Sequence, residues 1–299
     1  MTSKAPTIAV FTKNRSNPAY AAARLGADRT ALRLGARTVH FVPAKPDNIE
    51  EQIALIDEAL AQRPDAIVLV PVHPTAVNGA IRKIGAAGVP LIGCLNQFTE
   101  TGPLTYVGAD DHSIGVKIGT YLCENLGGRG KLVILEGAPQ SVTSVARVHG
   151  FREALKNFPD VRVVATLRGD YLREPARHAA EAFLASGVAF DAVFAANDDM
   201  ALGMIAALEA AGSDSVIVGV NAIPEAIAAI KRGKLLATID FDAMKISAIA
   251  TEAALRHLRG EVLPSQILLP VQVVDRTNYA HWDMPFEERP LMEWKDAVS

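Results

Sequence analysis

The chain has 299 residues, 49% hydrophobic and 21% charged, which is enough apolar material for one large domain or two of ordinary size. The formal net charge of -3 and the dispersed basic residues argue against a nucleic-acid partner, which usually requires a concentrated basic face. No apolar run reaches the roughly 20 residues that a membrane-spanning helix needs.

Short runs rich in Val, Ile and Leu recur along the chain and predict buried strands. In chain order they are TIAVF (7–11), TVHFV (38–42), AIVLV (66–70), PLIG (90–93), LVIL (132–135), VRVVATL (161–167), AVFA (192–195), VIVGV (216–220) and LLATI (235–239). The runs are continuous rather than alternating, which is typical of a parallel sheet covered on both faces. Helical patterns lie between them, and Gly or Pro marks the returns. The order of elements predicts an α/β fold.

The strand and helix pattern also occurs twice. The strand TIAVF and the long helix from Asn17 are matched by LVILEGAPQ and a helix near Ser144, and a further helix and two strands (ILLP and VQVV) follow Asp242. We therefore predict two similar doubly wound parallel-sheet lobes with a cleft between them. The predicted N-terminal lobe is 1–109 plus 242–269, and the C-terminal lobe is 110–241 plus 270–299.

Neither the cysteines nor the acidic clusters predict a metal or cofactor site. Cys94 and Cys123 lie outside any CxxC or Cys/His cluster, so we expect two reduced, buried thiols rather than a disulfide or a metal pair. Asp110 and its neighbours Asp111 and His112 fall where a helix begins, so we expect no metal there. GGRGK (127–131) follows a helix and precedes a strand, the reverse of a phosphate loop.

Polar side chains follow the predicted strands, where open parallel sheets bind ligands. Amides and carboxylates hydrogen-bond hydroxyl groups, and aromatic faces cover the apolar side of a sugar ring. No residue looks like a nucleophile backed by a base, and GxSxG is absent, so we do not expect an enzyme. The polar or aromatic residues at these strand ends, all candidates for ligand binding, are Lys13, Asn17, Tyr20, His73, Asn96, Gln97, Asp110, Asp111, Gln140, Ser144, Arg147, Asp170, Tyr171, Asn197, Asn221, Asp240 and Asp242.

Several of these residues also suit helix starts. Asn17 is followed by a proline, and the segment FAANDDMALG (194–203) places Asn197, Asp198 and Asp199 between an apolar strand and a helix. Asn is a favoured cap, proline is favoured at the first helical position, and carboxylates suit the positive end of a helix dipole. Local sequence leaves capping and ligand binding open at each position.

With these motifs placed, the chain resembles the type I periplasmic sugar-binding proteins of the ribose-binding group and the related ligand domains of LacI-type repressors. The similarity runs from about Thr7 to about Asp275. It is carried by IAV…NPAYAAARLGA, AIVLVP…TAV, VGADDHSIG, ARVHGFREAL, VFAANDDMALG, VIVGVNAIPEA and GKLLATIDFD. The resemblance implies two lobes joined by three crossovers, a ligand buried in the cleft by hinge closure, and a membrane ABC permease as partner.

The resemblance also implies a location and site residues. We expect a periplasmic monomer; because MTSKAPT leads almost directly into the first strand, its export signal would lie outside this sequence. The family's first-lobe contacts fall on Lys13, Asn17, Tyr20, Asn96 and Asp110 or Asp111, and its second-lobe contacts on Arg147, Tyr171, Asn197 and Asn221, with Asp240, Phe241 or Asp242 near the hinge. Asn17 and Asn197 would then be both caps and ligand contacts, with the two aspartates after Asn197 capping the helix behind it.

Departures from the family bear on the ligand. Many relatives have an aspartate at the end of the fourth strand, where this chain has Asn96, and another where Asn221 stands. Val145 replaces an arginine two residues before Arg147, and Lys13 takes a position often held by a small or uncharged residue. We therefore expect a polyol or a less common sugar, and the two cations leave an acidic ligand open.

The leading prediction is a solute-binding protein that captures a sugar or polyol for an ABC importer. The alternative is the ligand-sensing domain of a LacI-like regulator lacking its DNA-binding segment; such repressors begin with a helix-turn-helix, whereas the first strand here starts by Thr7. A Rossmann-like enzyme is a third reading, but the sequence has neither its glycine fingerprint nor an activated nucleophile.

Overall fold

The structure is a computed structural model that describes residues 5–299. The chain divides into two compact units. The first contains the residues up to Ala109 together with Asp242–Pro270 and Phe286–Ser299, and the second contains Asp110–Phe241 and Val271–Pro285. Across residues 5–299, no helix combines the length and the apolar character needed to span a membrane.

Strands and helices alternate along most of the chain. The strands are β1 (Thr7–Phe11), β2 (Arg37–Phe41), β3 (Ala66–Leu69), β4 (Leu91–Cys94), β5 (Thr105–Gly108), β6 (Arg129–Glu136), β7 (Asp160–Arg168), β8 (Ala192–Ala195), β9 (Val216–Val218), β10 (Ala237–Ile239), β11 (Gln266–Leu268) and β12 (Val273–Asp275). The helices are α1 (Pro18–Arg33), α2 (Ile49–Ala61), α3 (Asn78–Ala86), α4 (Asp111–Asn125), α5 (Val142–Leu155), α6 (Arg173–Leu184), α7 (Asp198–Ala210), α8 (Pro224–Arg232), α9 (Ala243–Leu258) and α10 (Trp294–Ala297), with a 3-10 helix at Tyr279–Trp282.

The first unit is built on a six-stranded parallel sheet in the order β11-β5-β4-β3-β1-β2. Successive side chains of a strand point to opposite faces, and every residue of β3 is buried because helices cover both. On one face Phe11 stacks on Phe41 at 4.9 Å and packs with Ile56 of α2 and Ile84 of α3. Helices α1 and α9 pack against each other and cover the opposite face of this sheet.

The second unit has the sheet order β12-β10-β9-β8-β6-β7. Its strands are parallel except β12, which pairs antiparallel with β10. Phe151 of α5 stacks on Phe194 of β8 at 4.2 Å, and this pair lies in the core. The edge strand β7 alternates between more and less exposed residues. The predicted pair of doubly wound α/β lobes is confirmed in both units.

The prediction for the C-terminus was wrong. We assigned 270–299 to the second lobe, but Phe286–Ser299 belongs to the first unit, so the chain passes between the units four times (at 109/110, 241/242, 270/271 and 285/286) rather than three. Arg29 of α1 holds the returning segment by donating to the carbonyl oxygens of Phe286 at 3.3 Å and Arg289 at 2.8 Å. Arg256 of α9 adds a cation–π contact with Trp294 at 4.7 Å.

Glycines let paired helices touch backbone to backbone in each unit. A Cβ added at Gly26 of α1 would lie 2.1 Å from the carbonyl oxygen of Met244 of α9. In the second unit, a Cβ at Gly115 of α4 would lie 2.0 Å from the carbonyl oxygen of Arg147, and one at Gly150 of α5 would lie 2.0 Å from that of His112. No side chain larger than hydrogen fits at these positions.

We predict that Gly26→Ala lowers the free energy of unfolding by about 1–3 kcal/mol, because the new methyl group must push α1 away from α9. The matched control is Gly85→Ala in α3, where an added Cβ meets nothing within 4 Å and should stabilise the helix by about 0.5–1 kcal/mol. Urea unfolding of both variants measures the difference. Equal stability of the two variants would contradict the close crossing.

Candidate functional site

In the first unit, the loop after β1 carries a buried lysine paired with a half-buried carboxylate. Lys13 and Asn14 follow the strand and are buried, and the Lys13 Nζ lies 3.6 Å from Asp47 Oδ2. Asn14 Nδ2 donates to Asp47 Oδ1 at 3.0 Å, and the Asp47 backbone N–H donates to the Lys13 carbonyl at 3.1 Å. Asp47 therefore ties down the loop after β1 and gives Lys13 a counterion from the same unit.

The other candidates of the first unit lie at the starts of α1 and of the loop after β4. Asn17 caps α1, since its Oδ1 accepts from the Ala19 N–H at 3.0 Å, and its own N–H donates to Asn14 Oδ1 at 3.0 Å. Tyr20 is half-buried in the first turn of α1. Asn96 is buried and follows Leu95, whose φ is 61°. The capping role predicted for Asn17 is observed; its ligand contact stays a prediction.

In the second unit, Arg147 of α5 joins three elements. Its Nε donates to Asp111 Oδ1 at 2.7 Å, its Nη1 donates to the Ala196 carbonyl at 2.8 Å, and its guanidinium lies 4.6 Å from the centroid of the Phe241 ring. Arg147 is only 3% exposed. Burial raises the pKa of Asp111, and the charge of Arg147 opposes that shift. The guanidinium thus has a carboxylate partner within its own unit.

Tyr171 lies near Arg147, on a loop whose backbone has positive φ angles. Asp170 and Tyr171 both have positive φ, 52° and 64°, and the Tyr171 hydroxyl lies 2.9 Å from Thr143 Oγ1. The ring lies so close to Gly137 that a Cβ there would be 2.8 Å from it. Burial raises the pKa of Tyr171, which keeps the phenol protonated as a hydrogen-bond donor.

Asn197 caps α7 and connects it to the Tyr171 loop. Its Oδ1 accepts from the Met200 N–H at 2.9 Å, and its Nδ2 donates to the Tyr171 carbonyl at 3.2 Å. One N–H of the amide and one lone pair of its oxygen are therefore used inside the unit. A ligand contact would use the second N–H or the second lone pair.

The prediction that the two aspartates after Asn197 cap α7 was wrong, because Asn197 is the cap and both carboxylates bind elsewhere. Asp198 accepts from the Ile223 N–H at 3.1 Å and from the Thr238 hydroxyl at 2.7 Å. Asp199 accepts from the backbone N–H of Arg173 at 3.0 Å and from its Nε at 2.9 Å. Burial raises the pKa of Asp198 to about 7.

Asn221 and Asp240 follow β9 and β10 and are both buried. Asn221 has a φ of 127°, its backbone N–H donates to the Ile239 carbonyl at 2.8 Å, and its Nδ2 donates to that of Phe241 at 3.4 Å. The Asp240 N–H donates to the Gln272 carbonyl at 2.9 Å, which attaches it to the loop before β12.

Asp110 differs from its predicted placement. The resemblance grouped it with the first-lobe contacts, but it lies in the second unit, where its Oδ1 caps α4 by accepting from the Ser113 N–H at 3.0 Å. It is also exposed, unlike the neighbouring Asp111. The chain crosses between units immediately before Asp110, so the assignment depended on a boundary of a single residue.

The structure adds partners that sequence reasoning did not assign. Asp47 lies 34 residues from Lys13 along the chain, and Asp111 lies 36 residues from Arg147, so no local spacing links them. In the sequence, Thr238 is marked only as part of an apolar strand. The predicted state of the cysteines is confirmed: Cys94 and Cys123 are free and buried, and burial raises their pKa values to about 12 and about 11.

Residues 8–261 match the family described as the periplasmic binding protein domain, and the chain belongs to this family. It is 28% identical over 270 residues to the ribose import binding protein RbsB of Bacillus subtilis, covering 89% of this chain and 86% of that protein. The resemblance to type I sugar-binding proteins is thereby confirmed, and such proteins are substrate-binding proteins rather than enzymes.

Two solved structures with bound ligands are similar over nearly the whole chain. An ABC transporter periplasmic solute binding protein of Actinobacillus succinogenes with bound D-allose has a TM-score of 0.87 and 31% identity, covering 92% of this chain and 99% of that one. An ABC transporter solute binding protein of Bacillus halodurans with bound myo-inositol has a TM-score of 0.87 and 25% identity, covering 94% and 98%.

We predict that Asp198→Asn changes how stability depends on pH. Because the pKa of Asp198 rises to about 7 on folding, from about 3.9 in an unfolded chain, the folded protein binds the extra proton between these values. Its contribution to stability is fully present below about pH 4 and is lost as the pH rises through about 7. The variant has no titrating group at this position and does not lose this contribution. The difference in unfolding free energy, variant minus native, should therefore become more positive from pH 5 to pH 8. Urea unfolding at both values measures this, and parallel profiles would contradict it.

Proposed function

We propose that this protein binds a neutral sugar or polyol at the strand ends of both units and delivers it to the permease of an ABC importer. Membership in the periplasmic binding protein family supports this proposal, as do relatives whose names or structures carry ribose, D-allose and myo-inositol. The relatives differ in ligand, and the residues of this chain favour one class of compound.

The observation that carries the choice of a neutral ligand is that both buried cations among the candidate site residues, Lys13 and Arg147, have a carboxylate partner. Lys13 has Asp47 as its counterion and Arg147 has Asp111, each within one unit. An anionic ligand gains most from a buried cation that has no carboxylate partner, since each existing pair already balances its charge. Asp240 adds a further buried carboxyl group at the strand ends, which disfavours an anion. A polyhydroxylated neutral compound suits the remaining amides and hydroxyl groups.

The proposed mechanism is closure of the two units around the ligand. A ligand that contacts residues of both units binds the closed state more tightly than the open one and therefore shifts the population toward closure. The closed, loaded protein would be the form that the permease recognises. We place this cycle in the periplasm, in agreement with the family's name, and propose that the protein acts as a monomer.

We predict that a thermal-shift screen finds stabilisation by a neutral sugar or polyol and little by the matching sugar acid. A ligand at about 1,000 times its dissociation constant adds about 4 kcal/mol to the unfolding free energy. D-ribose and D-allose, each tested beside its own acid (ribonate and allonate), make the comparison, and myo-inositol represents the polyols. Asp47→Asn, which removes the counterion of Lys13, should shift the preference toward the acids. Stronger stabilisation of the native protein by an acid than by its neutral counterpart would refute the choice of ligand class.

We also predict that single changes in either unit weaken the same binding event. Asn96→Ala in the first unit and Tyr171→Phe in the second should each lower affinity for the stabilising compound by about 10- to 100-fold, the effect of losing one buried hydrogen bond. Gln97→Ala, beside Asn96 but exposed, is the matched control and should bind like the native protein. Titration calorimetry gives the affinities, and small-angle scattering should show a smaller radius of gyration with ligand. If only one of the two substitutions weakens binding, the proposal that one ligand contacts both units is contradicted.

A further inference from the structure

We infer that Asp198 is a positioning residue for ligand binding, whose carboxylate holds the loop Asn221–Ile223 in the conformation that presents Asn221. The inference rests on the proposed function, because Asn221 is one of the proposed ligand contacts. Asp198 itself is fully buried directly after Asn197, so its role is to orient neighbouring groups.

The carboxylate reaches the loop by two routes. Oδ2 accepts directly from the Ile223 N–H at 3.1 Å. Oδ1 accepts from the Thr238 hydroxyl at 2.7 Å, and the oxygen of that hydroxyl accepts from the Ala222 N–H at 3.3 Å. Two consecutive backbone amides of the loop are thus bound: that of Ile223 by Asp198, and that of Ala222 by both the Asp198 carboxyl group and the hydroxyl that Asp198 orients. The Asp198 N–H also donates to the Val220 carbonyl at 2.8 Å, which fixes the residue before the loop.

The loop needs such support because its backbone is strained. Asn221 has a φ of 127° and Ala222 a φ of 49°, both in the region that favours glycine. Non-glycine residues in this region are strained and persist only where surrounding contacts determine the conformation. The bonds from Asp198 and Thr238 are such contacts, and their loss would let the loop relax to an ordinary backbone and turn the Asn221 side chain.

Neighbouring positions leave room for the carboxylate. A Cβ at Gly219 would lie 2.2 Å from Asp198 Oδ1, so only glycine allows the carboxylate its place at the end of β9. Thr238 is a fully buried hydroxyl residue in an otherwise apolar strand. The Asn221 side chain in turn bonds the carbonyl of Phe241, whose ring lies under Arg147. Asp198 thereby connects to two further proposed contacts through the loop that it holds.

The test compares Asp198→Asn, Thr238→Val and Thr238→Ser with the native protein. Asn keeps the shape but cannot accept from both donors, Val removes the hydroxyl, and Ser restores it. Asp199→Asn is the matched control, since Asp199 is the next residue and its carboxylate binds Arg173 instead. Amide chemical shifts of residues 221–223, recorded by NMR without added sugar, report the loop, and titration calorimetry with D-ribose, D-allose and myo-inositol reports affinity.

We expect Asp198→Asn and Thr238→Val to move the amide shifts of residues 221–223 and to lower affinity by about 10- to 100-fold. Thr238→Ser should restore both readouts to nearly native values. Asp199→Asn should lower the unfolding midpoint while leaving loop shifts and affinity native-like. Because Val and Ser differ at the same buried position, this pair keeps the test decisive if Asp198→Asn does not fold.

Native amide chemical shifts of residues 221–223 in both Asp198→Asn and Thr238→Val would overturn the inference. A variant with altered shifts that binds the ligand with native affinity would also overturn it. If none of the three compounds binds the native protein, the proposed ligand class fails instead. The amide shifts then still decide whether Asp198 holds the loop, so the two failures are distinguishable.

Discussion

Backbone contact between paired helices is a constraint common to both units, and in the second unit it places Asp111 beside Arg147. Gly115 and Gly150 allow α4 and α5 to approach until only hydrogen separates their backbones. At that distance the start of α4, with Asp111, lies beside Arg147 of α5, and a bond of 2.7 Å forms between them. Gly26 does the same for α1 and α9 in the first unit. A wider crossing would leave the arginine buried without its carboxylate, which is strongly destabilising.

Charge compensation within each unit is the second organising feature. A buried cation without a partner costs several kcal/mol, so Lys13 and Arg147 can be buried at strand ends only with Asp47 and Asp111 close by. Each pair belongs to a single unit and so does not depend on how far the two units are apart. Apart from carboxyl groups such as those of Asp110 and Asp240, the candidate side chains that remain are neutral donors and acceptors, which suit hydroxyl groups better than anions.

Sequence reasoning predicted the architecture because continuous apolar runs and helical stripes are local signals. It also predicted the helix starts at Asn17 and Asn197, where an amide precedes an apolar helix. It misplaced the C-terminal segment, which Arg29 holds through backbone carbonyls that carry no side-chain signature.

The polar partners could not have been predicted from spacing. Asp198 looks like a helix-start residue in FAANDDMALG, and only the fold brings Thr238 and Ile223 to it from 40 and 25 residues away. Asp47 similarly reaches the loop after β1 from the segment between β2 and α2. Tertiary contact therefore supplies the hydrogen-bond partners that local sequence could not indicate.

The two buried thiols have a practical consequence for labelling. Cys94 and Cys123 belong to different units, and their raised pKa values keep both protonated, whereas the thiolate is the form that reacts with maleimides and oxidants. A cysteine introduced at the exposed Val145, in the first turn of α5 near Arg147, would then carry a fluorophore without competition from the native thiols. The natural sequence can thus serve as the scaffold of an optical reporter with no prior removal of cysteine.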